Sequence, residues 1–354
     1  MSADFEHLVA SVLNSSASAY AGLAASMLVQ RHPDTASHFG SDALGTWRMH
    51  LTARVQELAV ALEFDVPQIM RSSVEWTRGS FQARDVPEAD LRASLVCLRE
   101  VLAQELPDQA RDRAVEFVDD AMQTFAAPIQ SNGALTGKTA HEQLALAYVE
   151  ACLTGHARRA MRLVLDAVES GQDLHAIYFE VLGPAQFEVG RLWHAAKIGV
   201  HEEHFVTSTT ASLLSLLSHR AARGAENDKV VVGAAIGGDG HDLGVRMIMD
   251  FFSMAGWHAV GLGSSVPGHD LARAVQDFKA DLLVLSVTLV TNLRFLRAAV
   301  KGVRKAAPET KILLGGRAFV DAPEVWRLVG ADAMAMRADD AVASGARLVG
   351  LEAP

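Results

Sequence analysis

From Lys229 to Gly350 the chain repeats one grammar: a short apolar run, a turn rich in glycine or polar residues, then a segment with helical periodicity. The runs are "KVVVGAA", "HAVGLG", "ADLLVLSV", "KILLGG" and "ADAMA", with segments such as "LGVRMIMDFFSMAG" and "LRFLRAAVKGVRKAA" between them. Few architectures accept this alternation. Runs that are apolar throughout predict strands buried on both faces, and the intervening helices provide right-handed crossovers. Residues 226–354 are therefore expected to form a Rossmann-like α/β domain on a five-stranded parallel sheet. Ligands on such sheets sit beyond the carboxyl ends of the strands, so the residues just after each run matter most.

Everything upstream reads as helix. Residues 1–107 hold eight arginines and no lysine against thirteen Asp and Glu, an acidic all-α unit that ends at Pro107. Leu51, Val55, Leu58 and Leu62 form one stripe at helical spacing, and Leu91, Leu95, Leu98 and Leu102 form another. Asp65 and Pro67 predict a break between them. Residues 108–225 are expected to form a four-helix bundle from "DRAVEFVDDAMQTFA", "TAHEQLALAYVEACLTG", the shorter pair "HARRAMRLVLDAVESG" and "LHAIYFEVLGPAQFEVGRLWHA", and "EEHFVTSTTASLLSLLSHRAA". Breaks come from "SNGALTG" and the Gly171 region.

Charge and cysteine content exclude several functions. A net charge of -10 over 354 residues leaves no generally basic surface, which argues against nucleic acid or an anionic membrane as a direct partner. Cys97 and Cys152 stand alone, without a disulfide or thiolate metal framework, and suit a reducing compartment. The amino terminus has no basic region ahead of its apolar residues, and no run reaches membrane-spanning length without charge. A cytoplasmic location is expected.

Chemistry gathers at two places. After the first strand, "GGDGHDLG" puts Asp239, His241 and Gly244 in the spacing D-x-H-x-x-G. A histidine on such a loop can turn one ring nitrogen to a ligand while a neighbouring carboxylate holds the other. The glycines do not match a nucleotide fingerprint, because no acidic residue follows the second strand. Ser286 and Thr288 end the third strand, where hydroxyls can serve a partly buried ligand or cap the next helix. Gly315 and Gly316 end the fourth, as a simple turn or as room for a group passing close to the backbone. The second place is "WHAAKIGVHEEH", with Trp193, His194, His201, Glu202, Glu203 and His204 in twelve positions. On its own this cluster reads first as a bundle-core tryptophan beside a solvated helix end, with a metal site for an ion such as zinc as the alternative.

"DGHDLG" followed by "SVTL" and "GG" resembles the signature of the cobalamin-binding fold shared by methionine synthase, several mutases and cobalamin-dependent light-sensing repressors. The resemblance covers residues 108–354. It implies that His241 coordinates cobalt from the lower face after displacing the cofactor's own base, and that Asp239 hydrogen-bonds this histidine. It also places Ser286 and Thr288 near the displaced nucleotide tail, which Gly315 and Gly316 admit beside the sheet. In the light-sensing branch the bundle covers the upper face, and Trp193, Glu203 and His204 match the adenosyl cap, its ribose partner and a polar pocket residue. His194 matches the ligand that takes cobalt once light breaks the cobalt-carbon bond. Trp193 and His194 diverge by about 100° on a regular helix, so the two would act in different states.

Those repressors generally begin with a basic winged DNA-binding domain, and this chain does not. An acidic helical domain, a capping bundle and a cobalamin domain together resemble photocobilins, which hold biliverdin beside cobalamin. A bilin needs an apolar slot and cations for its propionates, for which Trp47, His50, Trp76, Arg48, Arg54, Arg71 and Arg78 are candidates. Cys97 offers a thiol for attachment, although its leucine-rich stripe favours burial. Haem on His32, His38 or His50 is the competing cofactor. The expectation is a photoreceptor, not an enzyme, that uses adenosylcobalamin and possible biliverdin as cofactors. Light would alter its self-association or its contact with a regulatory protein. A corrinoid carrier for methyl transfer and a cobalamin-binding antirepressor are the alternatives.

Overall fold

A computed structural model describes residues 3–129, 135–222 and 224–352, so most of "SNGALTG" lies outside the described residues. The chain divides into two compact units, residues 1–131 with 320–325, and residues 132–319 with 326–354.

The first unit is helical: α1 (Ala3–Ser15), α2 (Ala17–Arg31), α3 (Ala43–Phe64), α4 (Gln68–Gln82), α5 (Glu88–Glu105) and α6 (Asp108–Met122). Both predicted stripes face inward, none of their eight residues being more than 6% exposed. The Asp42 carboxylate accepts the Gly45 amide at the start of α3, and Asp65 ends that helix in the left-handed region at φ 54°. One boundary differs from the sequence reading. Helix α6 buries Ala110, Ala114, Phe117 and Val118 while packing on α3, α4 and α5, so the first unit runs past Pro107. A proline at a helix start is compatible with a tight turn between two packed helices, and it hid that continuity. No single helix among the described residues is long and apolar enough to cross a membrane.

In the second unit, α7 (Ala140–Leu153), α8 (Ala157–Glu169) and α11 (Val200–Arg220) pack with a fourth, irregular rod. That rod runs through α9 (Leu174–Ala176), a π-helical turn at Ile177–Leu182 and α10 (Gly183–His194). The two "shorter pieces" are thus separate bundle members, and α6 is not one. The Asp173 carboxylate, accepting the Ala176 amide at 3.1 Å, starts the rod afresh after the Gly171 turn. Pro184 has no N–H for the carbonyl four residues back, and the helical ladder widens in the turn before it. "KIGV" is a break, as expected: Ala196 has φ 53°, and α11 restarts at Val200 with the Gly199 amide donating to Glu202 Oε2 at 2.7 Å.

The sheet has the order β2-β1-β3-β4-β5 with every pair parallel: β1 (Val230–Ile236), β2 (His258–Val266), β3 (Leu282–Ser286), β4 (Lys311–Gly315) and β5 (Ala333–Ala335). Its helices are α12 (Leu243–Met254), α13 (Gly268–Asp277), α14 (Leu296–Ala306) and α17 (Ala338–Leu348), with single turns α15 (Ala318–Asp321) and α16 (Val325–Leu328). Strands β1 and β3 are buried on both faces. Strand β2 is not: at the sheet edge, with Gly261, Gly263, Ser264 and Ser265, it is half exposed. The register aligns Ala235, Ser286, Gly315 and Ala335 across the carboxyl ends. The chain leaves β1 for one side of the sheet and returns to β3 on the other, the switch point where such sheets open a crevice.

Candidate functional site

The loop after β1 is pinned before it reaches the surface. Asp239 is fully buried, and its Oδ1 accepts from the His241 amide at 3.1 Å and from His241 Nδ1 at 2.8 Å. Its Oδ2 accepts from the Thr288 amide at 2.6 Å, tying the β1 loop to the β3 loop across the switch point. At the end of β2, Ser265 adopts φ 54°; its amide donates to the Asp239 carbonyl at 2.9 Å, and its hydroxyl accepts the Gly238 amide at 3.0 Å. Burial pushes the Asp239 pKa up, but bonds from the His241 ring, the Thr288 amide and the His241 amide outweigh it, leaving the carboxyl below its ordinary range. The Asp239 hydrogen bond raises the His241 pKa against the opposing cost of burial. With Nδ1 donating to a carboxylate, neutral His241 carries its lone pair on Nε2.

His241 faces a cavity of about 600 Å³ lined also by Trp193, Glu203, His204, Gly244, Ser286 and Thr288. Seven residues singled out in the sequence thus converge from α10, α11, the β1 loop, α12 and the end of β3. Asp239 lies beneath them. Three glycines in the same lining, Gly190, Gly240 and Gly244, have no protein atom within 4 Å of where a Cβ would stand. The wall is cut back on both sides of the space, which suits a broad flat ligand better than a compact one. On the α11 side, Glu203 Oε1 accepts from Thr207 at 2.8 Å and Oε2 meets His204 Nδ1 at 2.5 Å.

His194 is not among the lining residues, although Trp193 is; adjacent residues at the end of α10 point about 100° apart. His201 and Glu202 also stay outside; Glu202 caps α11. Gly315 and Gly316 serve close backbone packing. A Cβ on Gly315 would stand 2.7 Å from the Ala335 carbonyl oxygen, and one on Gly316, at φ 110°, would stand 2.4 Å from that of Val287.

A second cavity, of about 570 Å³, shares Gly244 and Ser286 with the first and continues along the sheet ends to Gly316, Ala335 and Arg337. Its aromatic lining was missed from sequence. Phe179 stacks on Phe251 with centroids 4.9 Å apart, and Phe187 is 58% exposed into this region. A large apolar side chain left open on a bundle helix, next to a π turn, is the signal that periodicity alone does not isolate.

In the first unit, by contrast, most of the bilin inventory is engaged in the fold. Trp47 is fully buried, its Nε1 donating to the Thr35 carbonyl at 3.2 Å. Arg54 is buried against Glu57, Ser73 and Thr77; Arg71 pairs with Asp120; Arg78 holds Glu88 and the Thr124 and Ala127 carbonyls. Arg48 is exposed and Trp76 is 47% exposed. His38 pairs with Asp90, His32 is exposed, and His50 sits against Phe81 at 4.9 Å with its pKa pushed down to about 4 by burial and then by Arg54 and Arg84. Burial pushes the Cys97 thiol up, away from a reactive thiolate.

Known proteins share the second unit. Residues 229–344 match the family described as the B12 binding domain, and residues 144–218 match a second B12 binding domain family. The chain is 24% identical over 194 residues to dimethylamine corrinoid protein 2 of Methanosarcina acetivorans, covering 52% of this chain and 88% of that one. It is 24% identical over 210 residues to the HTH-type transcriptional repressor CarH of Myxococcus xanthus, covering 59% of this chain and 70% of the repressor. The solved monomethylamine corrinoid protein of Methanosarcina barkeri has the same fold at a TM-score of 0.51 and 20% identity, over 57% of this chain and 96% of that one. With His241 and its carboxylate at the switch point of that fold, the chain is a B12-binding-domain protein related to the corrinoid proteins.

Proposed function

We propose that this chain is a corrinoid carrier in methyl transfer, holding the cofactor's cobalt on His241 and presenting the opposite face to a partner protein. The observation that carries the reading is the Asp239-held His241 at the edge of a cavity walled by glycines that no protein atom fills. A neutral imidazole fixed through Nδ1 is the donor a cobalt ion takes, and the cut-back walls fit a flat macrocycle. Bound corrinoid supplies cobalt-centred transfer of a carbon group. The chain's own residues do the rest. Asp239 fixes the tautomer and orientation of His241, Thr288 locks Asp239 to the neighbouring strand end, and α10 and α11 wall the opposite side. Ser286 and Gly316 line the cavity along the sheet that offers a route for the displaced tail, while Gly315 keeps β4 close to β5. The similarity to corrinoid proteins, two of them named for methylamines, supports this reading over the others.

A second reading is favoured by Trp193, Glu203 and His204, which line the same cavity as His241. In that reading the chain is an adenosylcobalamin photoreceptor with Trp193 as the cap, and light changes its self-association or its contact with a regulatory protein. His194 lies outside the lining, so its capture of cobalt requires the end of α10 to move. Biliverdin would be a second chromophore of this sensor.

Reconstitution separates the two. The carrier binds cobalamin with a His-ligated spectrum that is lost in His241→Ala, and a corrinoid methyltransferase demethylates its methylcobalamin form. The sensor, loaded with adenosylcobalamin, changes spectrum and size under green light, and biliverdin gives a red-shifted bound spectrum. Binding that His241→Ala leaves unchanged would refute both.

A further inference from the structure

We infer that Gln186 grips a carboxamide on the rim of the corrin ring, through an amide whose orientation is fixed from inside the bundle; the inference rests on the corrinoid reading above. Gln186 lies on α10 and lines the cavity that His241 faces. Behind it, three bundle helices meet at one buried hydroxyl. Thr210 on α11 is fully buried, and its Oγ1 stands 2.9 Å from the Val206 carbonyl oxygen, 2.7 Å from the hydroxyl of Tyr148 on α7 and 2.8 Å from Gln186 Nε2.

A hydroxyl has one proton and two lone pairs. The Val206 carbonyl can only accept, so it takes the Thr210 proton, and both Tyr148 and Gln186 must donate to Thr210. Turning the Gln186 amide over would set its carbonyl against an oxygen with no proton left to give. One N–H of Gln186 is therefore spent inward, while Oε1 and the second N–H make no other hydrogen bond among the described residues.

The wall beside this amide is open. Gly190, one turn along the same face of α10, has no protein atom within 4 Å of where a Cβ would stand. No other side chain in the lining sets a donor and an acceptor side by side: Glu203 and Asp242 only accept, Thr207, Ser286 and Thr288 carry single hydroxyls, and the imidazoles hold theirs on separate edges of the ring. A corrin ring is edged with primary carboxamides, whose own C=O and N–H complement that pair. Two amides so placed exchange two hydrogen bonds. A carboxylate in place of the carboxamide would set an oxygen without a proton against Gln186 Oε1, costing about tenfold in affinity.

The test is an absorbance titration of the full chain at pH 7 with cobalamin and with cobalamins that each have one ring carboxamide hydrolysed to the acid. In the parent, one of these acids should bind about tenfold more weakly than cobalamin. Gln186→Met, of similar length and without either polar end, should bind cobalamin about tenfold more weakly and no longer single that acid out. Thr210→Val should weaken cobalamin binding in the same direction, and Thr210→Ser, which keeps the hydroxyl, should restore it. The inference is overturned if every acid matches cobalamin in the parent, or if the discrimination survives Gln186→Met. It is also overturned if Gln186→Met weakens adenosylcobalamin and leaves methylcobalamin unchanged, which would put the amide against the upper group. Each of these results leaves the corrinoid reading intact. Failure of the parent to bind cobalamin at all overturns that reading, and the inference with it.

Discussion

Asp239→Asn changes no volume and removes one charge, which makes it a sharp probe of the site. The native carboxylate accepts three hydrogen bonds, two on Oδ1 and one on Oδ2, and is wholly buried. Asparagine has one accepting oxygen and one NH2. If the oxygen faces His241, the NH2 confronts the Thr288 amide, donor against donor. If it faces Thr288, the NH2 meets His241 Nδ1, and the ring must move its proton to Nε2, the nitrogen that cobalt would need. Losing one charge-assisted bond in the first arrangement costs about 2–3 kcal/mol. For a unit of this size that lowers Tm by roughly 4–12 °C. Corrinoid affinity is expected to fall by about 10–100-fold, as for other partners of metal-bound histidines. Differential scanning calorimetry reads the first effect, an absorbance titration with cobalamin the second, and nitrogen NMR of the imidazole the tautomer without any cofactor. An unchanged Tm together with an unchanged His241 tautomer and affinity would show that the carboxylate does not organise the site.

Four further outcomes follow from the packing. His50, its pKa pushed down to about 4 in the fold against about 6.5 unfolded, is neutral when folded in a window where the unfolded chain protonates it. Stability therefore falls as pH drops from about 6.5 to 4, by about 2–3 kcal/mol at pH 4.5. Urea unfolding of the parent and His50→Phe at pH 7.5 and 4.5 isolates this share, which the substitution should abolish. Gly316→Ala forces a methyl to 2.4 Å from the Val287 carbonyl oxygen at φ 110° and should cost about 3 kcal/mol or more in a thermal melt. Gly244→Ala meets no protein atom, so it should leave Tm within about 2 °C while weakening cobalamin binding, because a surface helix position gains little either way and the methyl occupies ligand space. Finally, a double-mutant cycle of Tyr178→Phe and Asp250→Asn should return a coupling of about 1–2 kcal/mol, and a value near zero would mean that the bond between the π turn and α12 carries no stability.

The parts legible in the sequence are those that depend on neighbours a few positions away. The two leucine stripes, the five strands and the D-x-H-x-x-G loop are local patterns, and the sheet register then brings Ser286 and Gly315 level with the end of β1. What could not be read depends on long-range company. Whether α6 joined the helices before it or the bundle after it was settled by which apolar face reached Phe117, not by its own periodicity. The arginines at positions 54, 71 and 78 looked like cations available to a ligand, yet each is paired with a carboxylate or carbonyl brought to it by another helix or by the loop following α6. The second cavity was invisible for the same reason: Phe179 and Phe187 scan as bundle core, and only the fold shows the space they line.

The rod from Leu174 to His194 touches both cavities. Phe179 and Phe187 line one, Val189, Gly190 and Trp193 line the other, and Phe179 itself sits in the π turn, whose widened ladder precedes the rest. Such a turn adds a residue to one helical revolution, and in a regular helix each residue advances the next by about 100°. The rod thus acts as a camshaft: the winding of Ile177–Leu182 sets the angle at which Trp193 meets the His241 space. Removing Glu180 there would leave every cavity-lining residue in the chain and still turn the tryptophan away.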